Sequence, residues 1–352
     1  MSNQKSKISN LKSVFDSNAL WLSMLIGAVF YPWLLPLKPI LPWLIFFMLF
    51  FTFCKVNPLD LRLHKWHWVV LTAQIVFSLG AYALAYWLTG SRFMAQGLML
   101  CFIMPTATAA PIIAGKMGGS IQNLTTFTLL SNFATSIIVP LVFPLVNPLA
   151  EKAFWPAFTL ILSHIAPLLL GPFFSAWALR LGFNAYYRKK SKIKNQKSKI
   201  KNAKTFELPT SLAQIPFYLW VCSIVVLTAT VTQTVVDNYQ SQMTNMFILL
   251  AASFVACLIQ FGLGKLIGYY LPAPSKGRDY QDVLVNPAAA PKTMAGVSSI
   301  TAGQAFGQKN TSLGVWMAQT YLLPMATLGA AAYIIWQNLF NSVQLFIAAH
   351  KK

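Results

Sequence analysis

The sequence predicts an all-α integral membrane protein of ten transmembrane helices, built as two inverted five-helix repeats. Three observations predict it. Apolar segments follow one another almost end to end, Lys and Arg are dense in every second loop and sparse between, and the fourth span of each half carries residues that interrupt a helix. Of 352 residues, 56% are hydrophobic and 10% are charged, whereas roughly a quarter of a water-facing domain is charged. That deficit excludes the two or three soluble domains that length alone would suggest.

A helix needs roughly 20 apolar residues to cross the hydrocarbon core. Such runs lie near 19–37, 39–56, 66–89, 93–117, 121–147, 153–180, 212–236, 244–270, 291–319 and 320–342. Several contain Pro or Gly, which membrane helices tolerate when neighbours satisfy the freed backbone groups. The first run is as long as a span and has no small-residue cleavage pattern behind it, so it reads as a retained helix. The chain then divides into a basic tail (1–18), helices one to six (19–184), a basic low-complexity loop (185–210), helices seven to ten (211–342) and a second tail (343–352).

Charge sets the topology. When ten spans alternate, 23 of the 27 Lys and Arg fall on the side of the N-terminal tail, three (Lys38, Arg92, Lys152) on the other, and one, Lys309, inside a span. The positive-inside rule places both termini in the cytoplasm, with a bacterial inner (plasma) membrane as the expected location. A net charge of +20 would suggest nucleic acid in a soluble protein. Here the basic residues lie between spans, so the expected partner is the lipid bilayer and not nucleic acid. The loop repeats KSKIKN at 190–195 and 197–202, and its NQKSKI at 195–200 matches 3–8. It reads as a flexible insertion, with binding to anionic headgroups as the other reading. Nothing in the sequence sets an oligomeric state.

Five spans per half make the halves antiparallel if they share a fold, as in many secondary transporters. In such folds interrupted helices at matching positions mark the binding site. The fourth span carries Pro105-Thr106-Ala107-Thr108-Ala109-Ala110-Pro111, and the ninth carries Gly303 through Ser312 with Gln304, Gln308, Lys309, Asn310 and Thr311. Pro105 and Pro111 remove backbone donors, which frees carbonyls near the bilayer midplane. None of the seven acidic residues falls mid-span, but Lys309 does. A cation there costs roughly 2.5–3.5 kcal/mol on insertion scales and is a functional candidate by default. Lys116 and Lys292 lie near span ends, where the ammonium can reach the interface. The four cysteines fit neither a zinc site nor a disulfide framework. The histidines form no metal or nucleophile constellation, and His164 reads as a helix–helix contact. No catalytic residue, metal site or cofactor is expected, and the chain does not read as an enzyme.

These residues resemble the bile acid:sodium symporter superfamily, which also contains arsenite-efflux carriers. The resemblance runs from about residue 20 to residue 342. Ala305-Phe306-Gly307-Gln308-Lys309-Asn310-Thr311-Ser312-Leu313 is similar to the family's E-x-G-x-Q-N-[ST]-G-L, and Trp336-Gln337-Asn338-Leu339 to its W-H-N-L. Ala73-Gln74 resembles an Ala-Gln pair of the third span, and the stretch 105–111 resembles P-G-G-T-A-S-N. The resemblance implies that the broken fourth and ninth helices cross, that a core domain moves against a panel domain, and that organic anions are carried with sodium. It places Gln74, Thr108, Thr128, Lys309 and Asn310 at or near the crossover. The departures are chemical. The family's sodium-binding glutamate falls on Ala305, beside Gln304; its fourth-span Ser and Asn fall on Ala110 and Pro111; its second sodium-binding glutamine falls on Lys309. Sodium needs oxygen ligands, and an ammonium repels it.

The expectation is therefore a secondary transporter of small organic anions in which Lys309 stands in for bound sodium as a tethered cation, with sodium disfavoured. Uniport, exchange and proton coupling through Lys309 stay open. The alternatives are a non-transporting receptor or sensor of the same fold and a conventional sodium symporter with rearranged ligands. A channel has no filter-like repeat to support it.

Overall fold

A computed structural model describes residues 19–58, 61–147, 153–193, 209, 212, 214–273 and 290–350, with the backbone alone described at 187–193 and 290–293. Every regular element among them is a helix. They are α1 (Ala19–Val29), α2 (Tyr31–Leu34), α3 (Leu41–Phe53), α4 (Lys65–Thr89), α5 (Arg92–Ile103), α6 (Ala110–Lys116), α7 (Ile121–Val146), α8 (Phe154–Ile193), α9 (Ile215–Tyr270), α10 (Ala290–Gly307), α11 (Thr311–Tyr321) and α12 (Thr327–His350). Five stretches are long and apolar enough to cross a membrane: Tyr31–Phe53, Lys65–Thr89, Ile121–Val146, Phe154–Tyr186 and Ile215–Tyr270. Inside hydrocarbon the helix is one of the few forms that satisfy every backbone group internally.

Several expectations change. The first predicted span is divided at Phe30 into α1 and α2, with Pro32 just beyond the division, and a 3-10 stretch, Leu35–Ile40, that carries Pro36 and Pro39 separates α2 from α3. The loop expected from 185 is helical as far as Ile193; most of its repeats, like the N-terminal tail, lie outside the described residues. Predicted spans seven and eight form one unbroken helical stretch, α9. The polar segment between them, Asp237 to Asn245, stays helical and closes local bonds, such as Asn238 Nδ2 to the Thr234 carbonyl and Asn245 Nδ2 to Gln242 Oε1.

Yet α9 is not straight. Ser223 Oγ lies 3.5 Å from Ser312 Oγ, and the Phe261 ring packs so closely on Gly307 that a Cβ there would collide with it. Gly307 and Ser312 are five residues apart, at most about 18 Å of chain. In a straight helix Ser223 and Phe261 would be separated by roughly 57 Å at 1.5 Å per residue. The helix therefore turns back on itself between them, and its two ends reach the same level of the molecule. The far contacts agree. Along the first arm, Gly27 of α1 touches Val225 and Ala229; along the second, Leu249 packs on Gly97.

The second arm of α9 makes a close helix contact. Gly264 and Gly268 lie one turn apart, and a Cβ on either would strike the carbonyl of Ala302 or Ser298 in α10. Small residues four apart let two membrane helices approach at backbone distance. Gly268→Val replaces that contact with an overlap against backbone, which cannot swing aside. A loss of about 1–3 kcal/mol is expected from overpacking, read as a lowered Tm of purified protein in detergent, while Gly262→Ala, with open space around it, leaves Tm nearly unchanged.

Candidate functional site

The two broken helices meet at one point. In the first break, Met104 precedes Pro105, and a residue before proline is pushed out of the helical region. Met104 takes φ −53° and ψ 136°, and α5 ends. The second break has no proline. It ends α10 at Gly307, runs extended through Gln308 and Lys309, and restarts at Asn310, whose Oδ1 accepts from Leu313 N at 3.2 Å as an N-cap.

Each break uses the backbone groups that the other releases. In an unbroken helix Phe102 O would accept from Thr106 N, and Ala305 O from Lys309 N. Here the Phe102 carbonyl accepts from Lys309 Nζ at 2.9 Å, and the Ala305 carbonyl accepts from Thr106 Oγ1 at 2.6 Å. Thr106 and Lys309 pair as an isolated antiparallel bridge, with Asn310 N donating to Pro105 O at 2.7 Å and Ala107 N to Gln308 O at 2.9 Å. Adding 203 to a residue number converts one side into the other: Phe102 to Ala305, Pro105 to Gln308, Thr106 to Lys309, Ala107 to Asn310. Four bonds thus form two related pairs.

The freed amides are held from behind. Thr106 N donates to Ser131 Oγ of α7 at 3.2 Å, and Lys309 N to Gln337 Oε1 of α12 at 2.9 Å. Gln337 Nε2 returns to the Lys309 carbonyl at 3.3 Å. The end of α10 is tied by Tyr333 Oη to Gly307 O at 2.7 Å. The end of α5 is tied by Gln74 Nε2 to Ile103 O and Met104 O at 3.1 and 3.2 Å, and by Gln260 Nε2 to Cys101 O at 3.0 Å.

Lys309 is 1% exposed. Its Nζ lies 5.1 Å from the centre of the Phe306 ring, within the range of a cation–π contact. The carbonyl ends of α5 and α10 converge on it, each equivalent to about half a negative charge. These ends supply the negative field that a carboxylate would otherwise give. Among the described residues the one acidic side chain is Asp237, in the polar turn of α9.

A cavity of about 1420 Å³ opens against the crossover. Its floor includes Thr108, Gln308, Lys309, Asn310, Thr311 and Thr128, and the rest of its lining mixes apolar side chains such as Phe53, Phe217, Trp220 and Ile334 with polar ones such as Asn57, Gln122, Thr125 and Asn338. Further out it is lined by Lys55, Lys116 and Lys265, and among the described residues no Asp or Glu lines it. On the floor, Asn310 Nδ2 and Gln308 Oε1 are buried without a hydrogen-bond partner.

The sequence-predicted residues are thus largely brought together. Lys309, Asn310, Gln308 and Pro105 form the crossover; Thr108, Thr311, Pro111 and Thr128 line the cavity; Gln74 lies under the end of α5. Gln304 sits one turn below Gln308, buried, with neither amide atom hydrogen-bonded, and is not among the cavity-lining residues. Lys116, read as an interfacial cation, lines the cavity instead; the side chain of Lys292 lies outside the described residues. His164 Nδ1 meets Tyr321 Oη at 3.1 Å, the helix contact expected. Sequence reasoning missed the partners Thr106, Ser131, Tyr333 and Gln337. Thr106 had a signal, its match to Lys309 at the same place in its half. Comparison with protein-family models and with curated proteins returns no match.

Gln337→Leu removes the acceptor of Lys309 N and the donor to Lys309 O. A buried amide without a partner costs about 1–3 kcal/mol, so Tm should fall by that equivalent. Gln344→Leu, at the cavity edge, should change it far less.

Proposed function

We propose that the protein is a secondary carrier of small organic anions, of the ten-helix inverted-repeat type resembling the bile acid:sodium symporter superfamily. One observation carries the reading: a large cavity, with four lysines among the described residues that line it, that ends on two interlocked helix breaks. Counting α1–α2 as one span, the turned α9 as two, and the pairs α5–α6 and α10–α11 as one broken span each, gives ten crossings. The offset of 203 at the crossover fits two halves of one ancestry in opposite orientation. The mouth carries Lys55, Lys116 and Lys265, on the lysine-rich side assigned to the cytoplasm of a bacterial inner membrane. In this reading the cavity faces inward and both termini are cytoplasmic.

The chemistry favours an anion with an apolar body. A cluster of lysines along a cavity raises the local concentration of anions. The N-terminal end of α11, eleven residues long, adds its dipole and the unpartnered Asn310 amide on the floor. The aromatic and aliphatic side chains of the lining suit the hydrocarbon part. Carriers of this architecture move one bundle of helices against the other about a central site. The bonds Thr230–Gln319 and His164–Tyr321 close the side away from the cavity, and opening that side requires breaking them.

Sodium coupling is not part of the proposal. Where a sodium carboxylate would be needed stands Ala305, and Lys309 Nζ occupies the carbonyl that a cation would seek.

Two measurements test the reading. Proteoliposomes should take up at least one of acetate, benzoate, succinate and cholate saturably, and should not take up choline. Lys116→Glu should raise the half-saturation concentration roughly three- to tenfold through lost electrostatic attraction. Binding of these anions without flux would instead indicate a receptor. Second, Tm is compared in NaCl, KCl and choline chloride at equal ionic strength. A bound ion at a hundred times its Kd stabilises by about 2.7 kcal/mol. No sodium-selective rise is expected for the natural chain, and one should appear in Ala305→Glu with Lys309→Gln. A rise in the natural chain would return the protein to the sodium symporters.

A further inference from the structure

We propose that Lys309 is where a proton is coupled to anion movement. The inference rests on the carrier reading above and adds the identity of the driving ion. Its ground is the geometry of Nζ. The side chain is fully buried, and Lys309 is one of the residues that line the cavity, so it stands between the cavity and the closed interior behind the crossover. An ammonium has three N–H donors, and Nζ has one hydrogen-bond acceptor, Phe102 O, with the face of Phe306 beside it.

Opposing influences act on the charge. The two converging carbonyl ends favour it. Burial and two unmatched donors disfavour it. The titratable groups around it are Cys101 from α5 and, behind that, Cys257 from α9 and Tyr333 from α12. None of these is a carboxylate. From α4 and α7 come Gln74 and Ser131, which do not titrate. The remaining cations of the cavity, Lys55, Lys116 and Lys265, are of the same sign and lie at its mouth. The strongest counter-charge Lys309 can meet is an anion arriving on the cavity floor.

The step is a simple transfer. Hydronium at the cavity surface gives its proton to the Nζ lone pair; an N–H bond forms, an O–H bond breaks, and water remains. The arriving anion accepts from the unmatched donors and stabilises the ammonium. Because coupling between two ligands is reciprocal, proton binding strengthens anion binding by the same factor. A monovalent anion and its proton then cross as a neutral pair, and no metal ion is needed.

The test separates this from the carrier reading. Tm of the purified full-length chain is measured from pH 5.5 to 9.5 in choline chloride, without any solute. A component of the pH profile should vanish in both Lys309→Met and Lys309→Arg, and persist in Thr106→Val, which loosens the crossover but keeps the amine. If these variants fail to fold, the natural chain decides alone. In sodium-free proteoliposomes, benzoate or cholate uptake should rise severalfold with an inward proton gradient and lose that rise on adding a protonophore. Flux that ignores the gradient, or pH profiles of one shape in the natural chain and both Lys309 variants, overturns proton coupling and leaves the carrier intact. Absence of all anion flux overturns the carrier itself.

Discussion

A helix broken inside hydrocarbon exposes carbonyls and amides that no water can reach, at several kcal/mol for each unsatisfied group. Here the answer to each break is the other break. The Phe102 carbonyl is taken by Lys309, the Ala305 carbonyl by Thr106, and the two extended strands share a pair of backbone bonds between them. Neither α5–α6 nor α10–α11 could hold its shape alone. Side chains from α4, α7, α9 and α12 then brace the two interruptions where they meet.

That mutual dependence explains the surrounding packing. The second arm of α9 presses on α10 through Gly264 and Gly268 and sends Gln260 to the end of α5, so one helix fixes the spacing of both breaks. Tyr333 and Gln337 of α12 hold the second break, as Gln74 and Ser131 hold the first. By contrast, the first arm of α9 meets the crossover at one long serine pair, and farther along α11 a Thr–Gln bond and a His–Tyr bond complete the contact. The crossover is densely braced on one side and lightly attached on the other, a division suited to movement of one group of helices past the rest.

Much of this was legible in the sequence. Pro105 announced the first break because proline acts on its own backbone and on the residue before it. Lys309 was conspicuous because a charge among apolar residues is expensive wherever the chain folds. The apolar character of 212–270 was also legible, but the loop expected within it proved helical, because polar residues such as Asp237 to Asn245 can close local bonds without leaving the helix. What stayed hidden was relational. Nothing local to Thr106 distinguishes it from Thr108, yet Thr106 pairs with Lys309 and Thr108 faces the cavity. Gln337 and Tyr333 look like ordinary polar interruptions of an apolar helix until the second break is placed beside them. The pair Gly264 and Gly268 acquires meaning only from the carbonyls opposite.

The crossover is symmetric in its backbone and asymmetric in its charge. Related carbonyls accept from related positions, but one donor is a hydroxyl and the other an amine. The matched backbone bonds make the two breaks equivalent, each answering the carbonyl that the other frees. The single amine breaks the equivalence. A threonine satisfies its carbonyl and is finished, whereas a lysine satisfies its carbonyl and still has two donors and a charge to place. Had both positions carried threonine, the crossover would be a closed neutral clasp indifferent to what enters the cavity. With lysine at one of them, the clasp of the proposed carrier would also answer to the charge of whatever enters the cavity.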